Sequence, residues 1–473
     1  MELPKTLTGY SISGDFTLIQ ELGGGASGMV FLAMASSPHS DECDEPMQQL
    51  VTIKLLKPDI LDKSNIDMFQ REAEIMHALD HQHVAKFYEY NREMELTLPN
   101  GTVAPAVAIV QEYCDSGDLF EFISFTGMFH ENLARYFFKQ LCNAILHLQA
   151  MGFSHRDLKC ENLMLNSEFE LKIIDFGFSA IFNKSSTQLG TDCYLAPEIR
   201  AGGEYTGSAV DIFNIGVILF VMVTQKNPFF KAERSDPYYK AIVYQQAANF
   251  WSEHAKESPD AIAELSEPLK DLVFLLLQED PVKRLSISEI MQHEWMAGPT
   301  PTQDEIKDEF TKRYNNYSQD EMISNISTQE DYDISPDDLD ANNYHRGLGS
   351  EDDDDTHLVV REAKPYSHQT RKLSQFFSKS DVEVLFRNLT HFVDGVASKH
   401  KFSKSCYGVN FETINDDSVQ VDVTVNILKV PDEEMHCVQM IRNDGNSIAF
   451  GDIYRKMKDL FAGHADTIYE PSS

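Results

Sequence analysis

The 473-residue sequence predicts an α+β protein with two globular parts joined by an acidic stretch. Three observations carry this. Strand-like runs with one helix between them fill residues 16–113, and long helical segments follow from Glu131. Residues 300–360 then hold 17 Asp and Glu against 4 Lys and Arg, including Glu351-Asp352-Asp353-Asp354-Asp355. Helix and strand patterns resume near Leu373.

The bulk numbers bound the function. A chain of this length is expected to hold two or three domains. An apolar content of 42% and a charged content of 24% are ordinary for a soluble protein. A net charge of −35 argues against nucleic acid as the main partner and against general attraction to anionic membranes. It favours basic peptides. The seven cysteines are scattered without a CxxC pair, so neither a zinc site nor a disulfide framework is expected. Met1-Glu2-Leu3-Pro4 lacks a signal-peptide pattern, and residue 2 is not the glycine that myristoylation needs. The apolar run Ile215 to Val223 is too short to span a bilayer. These features read as a soluble intracellular protein.

Phe16 to Leu22 alternates as a strand, and Phe31-Leu32-Ala33-Met34 is a second one. Between them lies Gly23-Gly24-Gly25-Ala26-Ser27-Gly28-Met29-Val30. Gly23, Gly25 and Gly28 fit G-x-G-x-x-G, and glycine lets a backbone approach phosphate oxygens closely. A plain glycine-rich hairpin turn would look the same. Ser36 to Gln49 is a polar surface insertion. Leu50 to Leu56 is a strand with Lys54 inside an apolar run, and a buried lysine is costly unless paired. Ile66 to Leu79 has helical periodicity, and either Glu72 or Glu74 could reach Lys54 from different faces of it.

Ala106 to Tyr113 is a further strand, leading through Cys114-Asp115-Ser116-Gly117 into a helix start, as a hinge between two lobes would. A helix over Glu131–Met151 leads to Ser154-His155-Arg156-Asp157-Leu158-Lys159-Cys160-Glu161-Asn162. Here Asp157 could accept a hydroxyl proton and Lys159 could neutralise a phosphoryl group. Asn162 offers a hard oxygen suited to Mg²⁺. A polar loop capping a helix has a similar composition. The strand that follows ends in Asp175-Phe176-Gly177, whose carboxylate can come beside Asn162.

Taken together, Gly23/Gly25/Gly28/Val30, Val51-Thr52-Ile53-Lys54, Glu72, His155 to Lys159, Asn162, Asp175-Phe176-Gly177 and Ala196-Pro197-Glu198 resemble the eukaryotic protein kinases. The resemblance covers residues 16–296 and implies a bilobal fold, with a β-rich first lobe and a helical second one. It selects Glu72 as the partner of Lys54 and leaves Glu74 as a surface charge. It implies catalytic roles for Asp157, Lys159, Lys54 and Glu72. It implies ATP binding by Leu22, Gly23, Gly24, Gly25, Ala26, Ser27, Gly28, Val30, Lys54, Glu112 and Cys114, and Mg²⁺ binding by Asn162 and Asp175. Asp-Leu-Lys-x-Glu-Asn is similar to the serine/threonine branch, in the calcium/calmodulin-dependent and AMP-activated/SNF1-like group.

The same resemblance makes Thr187 the regulatory phosphosite, its phosphate pairing with Arg156, and makes Ser185 and Ser186 further candidates. Thr191 would hydrogen-bond near Asp157 and Lys159, and Asp192 stands where the family often has Pro. Asp118 and Glu161 would hold a substrate arginine three residues before the phosphoacceptor. Asn214 stands for the usual Ser in Asp211-Ile212-Phe213-Asn214, and Arg284 would pair with Glu198.

The stretch 297–370 reads as a mostly disordered linker in which a short helix over Gln303–Tyr314 is allowed. Residues 371–464 read as a small α+β domain: a helix over Ser380–Ser398, strands over Tyr407–Ile414, Val419–Val430 and Met435–Ile441, a turn at Asn443-Asp444-Gly445, and a closing helix over Ile448–Phe461. This order resembles the kinase-associated C-terminal domain of microtubule-affinity-regulating and AMP-activated/SNF1-like kinases. His436 to Arg442, Gly445, Phe450 and Tyr454 carry the match.

The expectation is therefore a serine/threonine protein kinase that phosphorylates Ser or Thr in basic-context peptides. Activation-loop phosphorylation by an upstream kinase or by itself would regulate it, as would its C-terminal domain. A cytoplasmic location is expected, and a membrane-peripheral one if Lys399, His400, Lys401 and Lys404 touch anionic lipid; a solvated loop is the alternative reading of that cluster. The competing expectation is a catalytically silent kinase fold used as a scaffold.

Overall fold

The computed structural model describes residues 11–13, 15–24, 28–35, 49–56, 61–97, 101–181, 184–185, 193–324, 364–365, 374–403, 406–414, 420–430, 435–445 and 447–462. They fall into two compact units. One comprises Met1–Tyr314, Gln369–Leu373 and Arg442–Gly451, the other Asn315–His368, Ser374–Ile441 and Asp452–Ser473.

The first unit opens with a closed antiparallel barrel. Its strands are β1 (Ser11–Ile12), β2 (Phe16–Gly24), β3 (Gly28–Ala35), β4 (Gln49–Leu56), β5 (Phe87–Thr97) and β6 (Val103–Glu112), in the order β1-β2-β3-β4-β6-β5. Alternation along β4 sends Val51, Ile53 and Leu55 into the barrel core beside Phe16, Leu18, Phe31, Ala108 and Val110. Lys54 belongs to the opposite set. Helix α1 (Lys63–Ala78) is capped by Asp62, which accepts the Asn65 N–H at 3.0 Å. The sequence pattern did not show β1 or β5. Only two residues form β1, and β5 carries Glu89, Asn91, Arg92, Glu93 and Glu95 among its apolar residues.

Helices dominate from residue 119 on. They are α2 (Leu119–Thr126), α3 (Glu131–Ala150), α4 (Pro197–Ala201), α5 (Gly207–Thr224), α6 (Tyr239–Val243), α7 (Ala247–Glu257), α8 (Pro259–Glu264), α9 (Glu267–Leu276), α10 (Ile287–Gln292) and α11 (Gln303–Ser324). Short strand pairs sit among them. β7 (Phe153–Ser154) pairs with β10 (Ala180–Ile181), β8 (Leu163–Leu165) with β9 (Leu171–Ile173), and β11 (Lys184–Ser185) with β12 (Tyr205–Thr206). Helix α5 is buried on nearly every side, packed by α3 and α9, which is why its sequence is apolar all round. It is long and apolar enough to cross a membrane by composition, but here it is a core helix.

The second unit contains β13 (Lys364–Pro365), β14 (Gln375–Ser378), α12 (Val382–Val396), β15 (Ala397–Phe402), β16 (Gly408–Ile414), β17 (Gln420–Lys429) and most of β18 (His436–Gly445) and α13 (Ser447–Ala462). The sheet order is β14-β18-β17-β16-β15, with β13 parallel to β17. Val421, Val423, Val425 and Ile427 of β17 are all buried, as their alternation predicts. Two expectations change. The segment read as a loop around Lys399–Lys401 is the edge strand β15, whose charged side chains disguise it in the sequence. The turn expected at Asn443-Asp444-Gly445 is instead the end of β18. Lys404, and residues 325–363 of the stretch read as a linker, lie outside the described residues.

One buried ion pair ties the helical part together. The Arg284 guanidinium meets Glu198 with two bonds of 2.7 and 2.6 Å, and also donates to the carbonyls of Gln278 and Ala209. Its side chain is 1% exposed. Removing the arginine leaves Glu198 without its buried partner. Arg284→Ala should lower the unfolding free energy by about 3–5 kcal/mol, measured by urea denaturation.

Candidate active site

Lys54 occupies the centre of β4, opposite Val30 of β3 and Ile109 of β6. Its ammonium lies 2.6 Å from Glu72 Oε1 and 2.9 Å from Asp175 Oδ1. Glu72 is therefore the helix α1 carboxylate that reaches it, while Glu74 accepts a bond from Gln70 on the surface. Burial would lower the Lys54 pKa, but Asp175 and Glu72 raise it above its usual value. Burial would likewise raise Asp175, yet the Lys54 charge and hydrogen bond hold it down at about 2. Glu72 is pushed up by burial, which outweighs the pull of Lys54.

The loop before Asp175 is held by a network from below. Asp211 of α5 accepts the backbone N–H groups of His155 and Arg156 at 2.9 and 2.7 Å. Arg156 takes a positive φ of 67°, and its Nε donates to the Phe178 carbonyl. The His155 ring packs on Phe176, and burial drops its pKa to about 4, so it stays neutral at ordinary pH. Helix α5 begins hard against β7: a Cβ on Gly207 would lie 2.1 Å from Ser154 Oγ. Asn214 donates to the Tyr194 carbonyl at 2.6 Å, which anchors the segment before α4.

Asp157, Lys159 and Asn162 converge above this base. Lys159 Nζ is 3.4 Å from Asp157 Oδ2, and Asn162 Nδ2 donates to the Asp157 carbonyl at 2.8 Å. The Ile174 N–H donates to the Asn162 carbonyl at 3.0 Å, which joins this loop to the segment after β9 that carries Asp175. Burial raises the Asp157 pKa, opposed by Lys159. Lys159 is raised because Asp157, Glu161 and Asp175 outweigh its own burial. A carboxylate, a carboxamide oxygen and a second carboxylate are hard donors of the kind Mg²⁺ takes. The Asn162 amide nitrogen is committed to Asp157, which leaves its oxygen for such a role. Among the described residues no group of three or more His, Cys, Asp or Glu could hold a metal by itself, so a metal here would be completed by phosphate oxygens and water.

Gly23 and Gly24 end β2 and Gly28 starts β3, with Gly23 opposite Val30. A Cβ on Gly28 would meet the Leu55 carbonyl oxygen at 3.0 Å, so a side chain there would force the two strands slightly apart. The hairpin tip, Gly25-Ala26-Ser27, lies outside the described residues, as do Thr187, Ser186, Thr191 and Asp192. No side chain of Ser185 is described. Leu22 lies on β2 beside this turn, half-buried.

The hinge holds a feature that the sequence did not reveal. Both oxygens of Glu112 are engaged, one by Lys172 Nζ at 3.1 Å and the other by the Lys86 N–H at 3.0 Å. Cys114 is buried, and its thiol is pushed up to about 12 by burial and Glu112. Glu112 and Cys114 are thus left with main-chain groups to offer a ligand.

Asp118 caps α2 by accepting the Glu121 N–H at 2.6 Å. Within the same unit, Arg442 Nη1 lies 3.3 Å from Glu161 Oε1 and Arg442 Nη2 lies 3.8 Å from Asp118 Oδ2. The two acids singled out in the sequence thus share one guanidinium. Burial pushes Asp118 up to about 7 against the pull of Arg442.

The Lys54–Asp175 contact has a pH signature. A depressed carboxyl contributes stability that is complete above the ordinary aspartate pKa near ~4 and is lost as pH falls through the folded-state value. For Asp175 that loss falls toward about pH 2. Lys54→Met should move the Asp175 titration upward, because burial is then opposed only by His155 and the Gly177 N–H; carboxyl ¹³C NMR measures it.

Residues 16–296 match the family model described as protein kinase domain. The chain is 33% identical over 250 residues to serine/threonine-protein kinase kin-29 of Caenorhabditis elegans, covering 52% of this chain and 28% of that protein. It is 35% identical over 239 residues to testis-specific serine/threonine-protein kinase 2 of Mus musculus, covering 49% and 61%. It is 31% identical over 291 residues to NUAK family SNF1-like kinase 2 of Rattus norvegicus, covering 61% and 41%. The aligned part thus spans less than two thirds of each of these relatives. A family match over more than half the sequence coincides with the barrel, the hinge and the Lys54–Glu72–Asp175 cluster, and the chain belongs to the protein kinase family.

Proposed function

We propose that the chain is a serine/threonine protein kinase that transfers the γ-phosphoryl group of ATP to a protein hydroxyl. The observation that carries this reading is the meeting of Lys54, Glu72 and Asp175 in one cluster and of Asp157, Lys159 and Asn162 in the next. Phosphoryl transfer asks the protein mainly for positioning and charge neutralisation. Lys54, held by Glu72, would grip the α- and β-phosphates. Main-chain groups of Glu112 and Cys114 would bind the base, and the glycine-rich turn from Leu22 through Gly28 to Val30 would cover the phosphates. Asp157 would orient the substrate hydroxyl and take its proton, while Lys159 would steady the moving phosphoryl group. Asn162 and Asp175 would hold Mg²⁺, which supplies neutralisation of phosphate charge. A scaffold reading has less support, because silent relatives usually lack one of Lys54, Asp157, Asn162 or Asp175, and all four stand here.

The acid pair Asp118 and Glu161 supports a preference for a basic residue near the phosphoacceptor, because it already holds one guanidinium. Arg442 would then compete with such substrates, a route by which the C-terminal part of the chain restrains the enzyme. Phosphorylation of Thr187, by an upstream kinase or by the enzyme itself, would add a second control through Arg156. Lys399, His400 and Lys401 on β15 are candidates for anionic-lipid contact in a cytoplasmic, membrane-peripheral enzyme. The pairing of Lys399 with Glu412 at 3.2 Å weakens that reading relative to control by Arg442.

Three outcomes test these statements. Asp157→Asn should lower turnover of a basic peptide by about 10²–10⁴-fold, the typical worth of a positioned base. Equal activity in a radiolabelled phosphotransfer assay would remove Asp157 from the mechanism. Arg442→Ala should lower the KM for a peptide with arginine at minus three, and an unchanged KM would remove Arg442 from control. Because burial pushes Asp118 up to about 7, the advantage of that arginine should shrink as pH falls from 8 to 6 and the acid takes up its proton. Paired pH profiles for arginine and alanine peptides read this directly.

A further inference from the structure

The compact kinase unit does not stop where the family match ends at residue 296. Pro299 offers its carbonyl to Arg135 Nη1 at 2.7 Å. Thr302 and Glu305 then form a reciprocal cap, with the Glu305 carboxylate accepting from the Thr302 N–H at 2.7 Å. The first turns of α11 follow and lie against α2 and α3. Gln303 is bonded by Tyr136, and Lys307 pairs with Glu168. Ile306 and Phe310 are 0% exposed, and the Phe310 ring is surrounded by Phe122, Phe129, Phe137 and Phe169 with centroids 4.7–6.0 Å away.

Arg313 closes this contact. Its Nη1 donates to the carbonyls of Thr126 and Gly127 at 3.2 and 2.9 Å, and its Nη2 donates to the Met128 carbonyl at 3.1 Å. Its guanidinium lies over the Phe129 ring, and Glu309 fixes it at 2.7 Å. Thr126 is the last residue of α2 and Gly127 its C-terminal cap, so Arg313 binds the orphan carbonyl of Thr126 together with the two carbonyls that follow the helix. A cation at that end also meets the negative pole of the helix. Gln225 holds the preceding carbonyls, Ile123 and Ser124, from the other side. The opposite end of α2, about 12 Å away over eight residues, is capped by Asp118.

We infer that the segment 299–313 is a positioning strap for the acid pair. Arg313 and Phe310 fix the end and the middle of α2, and so set where its N-terminal cap, Asp118, stands beside Glu161. The inference rests on the reading above that these acids hold a substrate arginine. It adds that the strap, which touches neither nucleotide residues nor Asp157, selects substrates through KM alone.

The test uses the full chain. Arg313→Ala and Phe310→Ala are compared with the parent on two peptides that differ in arginine or alanine at minus three, with Glu161→Gln as the reference for loss of the pocket. The expected result is a rise of about tenfold in KM for the arginine peptide, the net worth of one hydrogen bond to a charged group. The kcat, the KM for ATP and the KM for the alanine peptide should hold, and backbone amide exchange across 119–126 should quicken. Should either variant fail to fold, Arg313→Lys keeps the charge and loses the fork, and it should show a smaller rise with the same quickened exchange. Parent-like peptide ratios in the strap variants, with Glu161→Gln abolishing the ratio, would overturn the strap and leave the acid pair standing. A ratio unchanged in Glu161→Gln would overturn the acid-pair reading and the strap with it.

Discussion

A lysine on a barrel strand, with its charge facing away from the core, is the constraint on which the site is built. Taking an ammonium out of water is unfavourable unless opposite charges meet it. Lys54 meets two, and they come from different parts of the unit: Glu72 from helix α1, and Asp175 from the segment after β9. The cation therefore measures whether α1 and the Asp175 segment are both in place. Its partners respond in opposite ways, because Asp175 is held low by the lysine while Glu72, more deeply enclosed, is raised. A nucleotide phosphate arriving at Lys54 would enter a site whose charges are already arranged.

Beneath this cluster the chain relies on backbone groups held by buried side chains. Asp211 holds two amides of the loop that carries Asp157, and Arg284 holds Glu198 and three carbonyls, those of Gln278, Ala209 and Glu279. Both act from within the helical core, where hydrogen bonds are least exposed to water. The hinge uses the same device, with the Glu112 side chain spent on Lys172 and on the Lys86 amide.

Much of this was legible in the sequence because the residues that bear chemistry stand in short, ordered motifs. Lys54, Asp157, Asn162 and Asp175 stand in such motifs, while Glu72 is told from Glu74 only by the family resemblance. What was not legible depends on long-range contact. Arg313 meets Gly127 across 186 residues and Arg442 meets Glu161 across 281, and nothing local to either arginine announces its partner. The strand β15 hid for a different reason. Its exposed Ser-Lys-His-Lys has the composition of a loop, and only pairing with β16 shows it as an edge. Helix α11 was legible only in part: the sequence allows a helix over Gln303–Tyr314, but the surrounding acidity hides that Ile306 and Phe310 are buried in its first turns.

The close approach of Gly207 to Ser154 divides the unit into parts with different freedom. The Ser154 side chain already fills the space a Cβ on Gly207 would take, so α5 and the strand that introduces the Asp157 loop meet without slack. The floor of the site therefore acts as an anvil of fixed height. The Lys54 cluster is assembled from pieces that meet this floor from above, the α1 carboxylate Glu72 and Asp175. A perturbation confined to those pieces would change occupancy of the working arrangement without disturbing the surface on which the chemistry rests.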